Sequence, residues 1–123
     1  MRSLKIAAIP ADGIGPEVIT AGLQVLEALG QRMGDLSFDV TTFDWGSDYY
    51  KANGTMMPED GPEQLKGFDA IFFGAVGAPD VPDHITLWGL RLPICQGFDQ
   101  YANVRPTRIL PGIPSPLQGK KPG

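Results

Sequence analysis

The chain has 123 residues, 42% apolar and 20% charged, with 10 Lys and Arg against 14 Asp and Glu and a formal net charge of −4. That length fits a single domain with a buried core. The acidic balance argues against sequence-independent binding to nucleic acid, which rests on many Lys and Arg contacts to phosphate; no apolar run reaches the roughly 18–20 residues of a membrane-spanning helix. Cys95 is the single cysteine and permits no internal disulfide, so a cytoplasmic location without membrane contact is the default expectation.

Residues 4–9 (LKIAAI) form a short apolar run that predicts a buried strand. Gly13 and Gly15 then give a tight turn. Pro16 fits the first turn of a helix, where its missing N–H costs nothing, and Glu17 puts negative charge near the positive helix end. Val18, Gly22, Val25, Leu26, Leu29 and Met33 recur at helical spacing, which predicts that their face packs inward, and Gly34 is a suitable stop. Residues 38–43 (FDVTTF) predict a second strand, 47–54 a short helix, and 58–66 a turn with one or two helical turns. The most hydrophobic strand, 69–73 (DAIFF), runs into the loop 74–79 (GAVGAP) just past a strand end, where ligands of α/β sheets tend to bind. Residues 86–98 read as helical, with Pro93 shortening or starting the helix, and 101–110 read as extended. Strands alternating with helices predict an α/β chain with a parallel sheet and flanking helices. Residues 1–110 make up that unit. Residues 111–123 hold four prolines and three glycines without a closing element, the pattern expected of a truncation point or a disordered end.

Gly13-Ile14-Gly15-Pro16-Glu17-Val18 begins like a dinucleotide fingerprint, but Val18 stands where the third glycine belongs and Pro16 removes an N–H from the helix start. A standard pyrophosphate site is not supported, and a structural turn is the simpler reading. His84 is the only histidine, Asp80 and Asp83 beside it read as a solvated loop, and no metal site closes within the chain. None of Ser3, Ser37, Ser47 and Ser115 sits on a recognisable nucleophile turn, and Cys95, between Ile94 and Gln96, reads as a core thiol.

The most informative segment is 87–106, LWGLRLPICQGFDQYANVRP. It carries Arg91 and Arg105 with only Asp99 as a further charge, and Trp88, Phe98 and Tyr101 around them. Arginine presents a planar fork of donors that matches a carboxylate bidentately, so two such forks near an apolar wall suit a small dicarboxylic acid. The alternative is that each arginine pairs with a surface Asp or Glu. Leu87 and Trp88 precede Arg91 by four and three residues, which on a helix puts them one turn away on roughly the same face, either as an apolar wall for a ligand or as ordinary core packing.

ADGIGPEV, DAIFFGAVGAP, LRLPICQGFDQYANVRP and the following ILPG together resemble the β-decarboxylating hydroxyacid dehydrogenases, the family of isopropylmalate, isocitrate, tartrate and D-malate dehydrogenases. Within that family PDHITLWGLRLPICQGFDQYANVRPTR is most similar to the tartrate dehydrogenase/D-malate dehydrogenase branch. The resemblance implies the N-terminal part of an isopropylmalate dehydrogenase-like fold, not a standard Rossmann fold. It also implies an NAD-dependent oxidoreductase that needs Mg2+ or Mn2+ and that oxidises and decarboxylates a small (2R)-hydroxy acid, tartrate or D-malate. By the same resemblance Arg91 and Arg105 bind the substrate's malate-like carboxylates, and Leu87 and Trp88 contact the group on its third carbon. Val76, Gly77 and Ala78 line the nicotinamide side. His84 stands where relatives often carry a glutamate near the nicotinamide, Asn103 lies close to the cofactor, and Ile14 contacts the adenosine part. Family members are much longer, and their catalytic tyrosine and lysine and their metal-binding aspartates belong to the later part. No catalytic or metal-binding residue is therefore expected in this chain, which on its own is expected to be inactive; the complete enzyme is expected to be a homodimer. The alternative function is a non-catalytic anion-binding or regulatory module derived from the same family.

Overall fold

A computed structural model describes residues 2–117, 119 and 120. Three strands, β1 (Arg2–Ala11), β2 (Leu36–Thr42) and β3 (Ala70–Ala75), form one sheet in the order β2-β1-β3. Both pairings are parallel, β1 to β2 from Arg2↔Leu36 to Ala8↔Thr42 and β1 to β3 from Ile6↔Ala70 to Ala11↔Ala75. Ile6, Ala7, Ala8 and Ile9 are buried, as the continuous apolar run of a central parallel strand requires. Parallel pairing also sends the loops after all three strands to one edge of the sheet, the edge at which α/β proteins bind ligands.

Helix α1 (Gly15–Met33) returns the chain from the end of β1 to the start of β2, with Pro16 and Glu17 in its first turn. Gly34 ends it at φ 74°, its N–H bonded to the Gly30 carbonyl, a left-handed stop that glycine adopts without strain. The buried stripe differs from the one the hydrophobic spacing predicts. Gly22 and Leu26 do turn inward, but Val18, Val25, Leu29 and Met33 are 40–67% exposed. The sheet instead receives Gly15, Ile19, Gly22, Leu23, Leu26 and Gly30. Close approach explains the choice. A Cβ on Gly22 would overlap the Phe72 ring, and one on Gly30 would stand 2.9 Å from the Leu36 carbonyl oxygen, so the glycine stripe lets the helix backbone settle onto β3 and the start of β2.

The other face of the sheet is covered by α2 (Ser47–Asn53), α3 (Gly61–Leu65), α4 (Asp83–Thr86), a π-helical turn (Leu87–Arg91) and α5 (Leu92–Gly97). Here Ala7 and Ile9 of β1 meet Trp45, Met56, Met57, Leu65, Leu90 and Ile94 in one core cluster, with the Phe43 ring 4.4 Å from that of Trp45. Residues 101–110 carry no regular element, and among the described residues they pair with no strand. Gln118 and residues 121–123 of the proline- and glycine-rich end lie outside the described residues. No described helix is long and apolar enough to cross a membrane.

Candidate site at the carboxyl edge of the sheet

The chain bends sharply after β1, with Ala11 at φ 57° and Gly13 at φ 56°, and this folds the Asp12 side chain back over the sheet edge. The Asp12 carboxylate is 8% exposed and collects the loops that follow all three strands. Oδ1 accepts the Ser47 backbone N–H at 2.7 Å, and Oδ2 accepts both the Ser47 hydroxyl at 2.6 Å and the Gly77 N–H at 2.9 Å. Its own backbone N–H donates to the Ala75 carbonyl at 2.6 Å. Gly46 is needed beside it: φ is 149°, and a Cβ there would lie 2.8 Å from Oδ1. The loop 76–78 and the α1 start, with Ile14 67% exposed, are thereby fixed along one edge. The sequence does not mark Asp12 or Gly46, and it offers Ser47 as a helix start that sits on no nucleophile turn. The one available signal was an acid between a strand and a glycine turn, which reads equally well as a solvated turn residue.

Beyond Gly77 the loop is held twice more. Ala78 bridges Val81, which is buried, and Asp80 pairs with Lys51 of α2 at 2.7 Å. The hydrogen bond from Lys51 holds the Asp80 carboxyl below its usual range, and the same bond raises the Lys51 ammonium above its own. Both groups are solvated, so the pair orients the loop more than it stabilises the fold.

The helical stretch from Asp83 to Gly97 is interrupted by its π turn because Pro93 has no N–H to donate; the Leu92 N–H reaches back to the Leu87 carbonyl instead. The wider turn separates residues that a regular helix would stack. Trp88, 62% exposed, lines an open cleft of about 650 Å³ with His84, Tyr50, Met56 and Met57. Arg91, half-buried, lines a different cavity of about 160 Å³ with Ile71, Phe73, Ile94, Cys95 and Gln100. The apolar wall beside Arg91 is therefore built from Ile71, Phe73 and Ile94, not from Leu87 and Trp88. Cys95 is a half-buried free thiol at that cavity rather than a fully buried core residue.

Arg105 lies exposed in the irregular segment, where its Nε donates to the Asn103 Oδ1 at 3.1 Å; it does not line the cavity that Arg91 lines. Within this chain the two arginines are not brought into a shared cavity. Among the described residues neither forms an ion pair with an acid, so the surface pairing weighed as the alternative is not found. The structure thus gathers Ile14, Val76, Gly77 and Ala78 at the sheet edge, His84 and Trp88 at the cleft, and leaves Asn103 and Arg105 outside both. No three His, Cys, Asp or Glu side chains among the described residues come together to hold a metal ion.

A sequence model described as isocitrate/isopropylmalate dehydrogenase matches residues 5–122. The chain belongs to the isocitrate/isopropylmalate dehydrogenase family. Over all 123 of its residues it is 80% identical to a probable tartrate dehydrogenase/decarboxylase, TtuC', of Agrobacterium vitis, and it covers 34% of that protein. It is 56% identical over 126 aligned residues to the decarboxylating D-malate dehydrogenase of Escherichia coli strain K12, again covering 34%. The chain thus spans about a third of the length of the curated relatives it matches. A solved β-decarboxylating dehydrogenase from Thermococcus kodakarensis, in its apo form, superposes with TM-score 0.60 at 31% identity, over 80% of this chain and 27% of that one. The parallel sheet with flanking helices is accordingly part of an isopropylmalate dehydrogenase-like fold.

Proposed function

We propose that this chain contributes to a dehydrogenase that oxidises and decarboxylates a small (2R)-hydroxy acid, tartrate or D-malate, with NAD and Mg2+ or Mn2+. The observation that carries this reading is the 80% identity, along the whole chain, to a probable tartrate dehydrogenase/decarboxylase. Arg91 supports it chemically: a guanidinium without an acidic partner among the described residues, set against Ile71, Phe73 and Ile94, is suited to one carboxylate of a small dianion. We assign the second carboxylate to Arg105, which requires it to turn from Asn103 toward Arg91. By the family resemblance we also assign Leu87 and Trp88 to a small substituent on the third carbon, hydrogen or hydroxyl, which requires the Trp88 cleft and the Arg91 cavity to be joined in the complete enzyme.

NAD, when bound, accepts the hydride from the substrate. Ile14, Val76, Gly77 and Ala78 fit this role because they share the edge to which all three strands point; His84 and Asn103 complete the expected cofactor contacts from outside that edge. We assign the Mg2+ or Mn2+ ligands to other parts of the enzyme. We place the complete enzyme in the cytoplasm as a homodimer.

The test is a chimera in which this chain replaces the matching 123 residues of the A. vitis protein. With NAD+ and Mg2+ or Mn2+ it is expected to form NADH when D-malate or tartrate is added. A folded chimera that oxidises neither acid refutes the proposal. The anion-binding alternative gains support only if the isolated chain binds D-malate tightly in calorimetry.

A further inference from the structure

We infer that Asp12 is a positioning residue for the loop 76–78, setting the Gly77 peptide against which the cofactor docks. The inference rests on the proposed role of that loop at the nicotinamide. Gly77 is exposed, its φ is 133°, and nothing lies within 4 Å of where its Cβ would stand. Val76 packs against the core on one side of this peptide, but no side-chain packing constrains it on the Gly77 side, and a residue at such a φ has no preferred conformation of its own to fall into. While the Ala78–Val81 bridge and the Asp80–Lys51 pair act further along the loop, the Gly77 N–H is held by the 2.9 Å hydrogen bond to Asp12 Oδ2. That acceptor is itself rigid. Asp12 is 8% exposed, and its two oxygens are already engaged by the Ser47 N–H at 2.7 Å and the Ser47 hydroxyl at 2.6 Å. A carboxylate shielded from water and shared among donors binds each of them more strongly than a neutral acceptor does.

A role confined to bracing α2 would be met by the two bonds from Ser47. The third bond extends the same carboxylate to the loop after β3, across 65 residues of sequence. Asp12 thus transmits the position of α2 and of the β1 end to an exposed peptide on the site's rim.

The chemistry of the amide gives a selective perturbation. In Asp12→Asn a single carbonyl oxygen replaces two acceptors, while two backbone N–H groups, of Ser47 and Gly77, still need one each. The Ser47 hydroxyl can rotate and accept from the new amide, but whichever way the amide is turned one of the two backbone N–H groups faces its NH2 and loses its acceptor. Asp12→Ala removes both acceptors, whereas Ser47→Ala removes only the hydroxyl bond and leaves the Gly77 bond in place.

In the chimera with the A. vitis protein, Asp12→Asn is expected to raise the KM for NAD+ roughly tenfold, the scale of one charge-assisted hydrogen bond. The KM for D-malate is expected to stay within about twofold, Asp12→Ala to exceed Asp12→Asn, and Ser47→Ala to resemble the unmodified chimera. Equal effects on both KM values, or none in a folded Asp12→Asn protein, overturn the inference. A second measurement needs no variant and no turnover: in the isotope-labelled chain the Gly77 amide is expected to exchange with solvent at least tenfold more slowly than the amide of Gly13. Equal exchange also overturns the inference. Should the unmodified chimera fail to use NAD+, the proposed function falls, and amide exchange still decides whether Asp12 holds the loop.

Discussion

Replacing Gly15 with alanine is expected to lift the start of α1 off the sheet. A Cβ at this position would overlap the Pro10 carbonyl oxygen and stand 2.9 Å from the Ala75 nitrogen, and the reciprocal crossing at Gly74 puts its Cβ position 3.0 Å from the Gly15 Cα. Every one of these neighbours is backbone, so no side chain can rotate away. Overpacking typically costs about 1–3 kcal/mol, and here the upper end applies because the strands themselves must move. Alanine regains at most about 1 kcal/mol of helix propensity over glycine, the value for a helix interior, since Gly15 opens the helix. The net expectation is a loss of about 2 kcal/mol, which at roughly 4–8 °C per kcal/mol for a small domain lowers the Tm by about 10 °C. Urea unfolding followed by circular dichroism measures it, with Gly67→Ala as the control, since nothing lies within 4 Å of that Cβ position and no positive φ opposes the change. Gly67→Ala is expected within about 0.5 kcal/mol of the parent. A Gly15→Ala chain as stable as the parent would refute the close crossing of α1 over the ends of β1 and β3.

Trp45→Ala removes the largest ring of the core, 3% exposed and packed on Phe43, and is expected to cost about 3–5 kcal/mol in the same urea assay; a loss under about 1 kcal/mol would contradict the core assignment. The Asp80 carboxyl is held below its ordinary 3.8 by Lys51, so its contribution is complete above pH 3.8 and fades as pH falls through the lower native value. Lys51 is raised above 10.5, so its share is complete below pH 10.5 and fades as pH rises through the higher native value. Carbon-detected titration of Asp80 is expected to give a midpoint below 3.8 that rises in Lys51→Met, although the backbone hydrogen bond at Asp80 still lowers it; an unchanged midpoint speaks against the pair. In the chimera, Arg91→Ala is expected to raise the KM for D-malate by at least about tenfold, the scale of a lost charge-assisted contact, with no comparable change in the KM for NAD+. Arg91→Lys is expected to recover little of it, because an ammonium cannot reproduce the bidentate fork.

The sheet was legible because its signals are local. The apolar run 4–9, the Gly34 stop and the alternation of strands and helices each follow from neighbouring residues, and each corresponds to β1, the end of α1 and the parallel order. The buried stripe of α1 was misread because hydrophobic spacing favours bulky residues, while the contact with Phe72 and Leu36 selects glycines that leave room for the neighbouring backbone. The π turn was not legible, although Pro93 was; proline removes a donor without saying whether the helix ends, kinks or widens. Asp12 was hidden for a different reason. Its partners lie 35 and 65 residues away, and no local pattern marks an acid that will be buried by such distant donors. The separation of Trp88 from Arg91 follows from the π turn, and the position of Arg105 from a segment that has no regular element of its own.

A crystal structure of the chimera with D-malate bound addresses the substrate assignment directly. The guanidinium groups of Arg91 and Arg105 are both expected within about 3 Å of carboxylate oxygens of the same D-malate molecule. An acid bound with Arg105 still turned to Asn103, or seated in the Trp88 cleft away from Arg91, would contradict it.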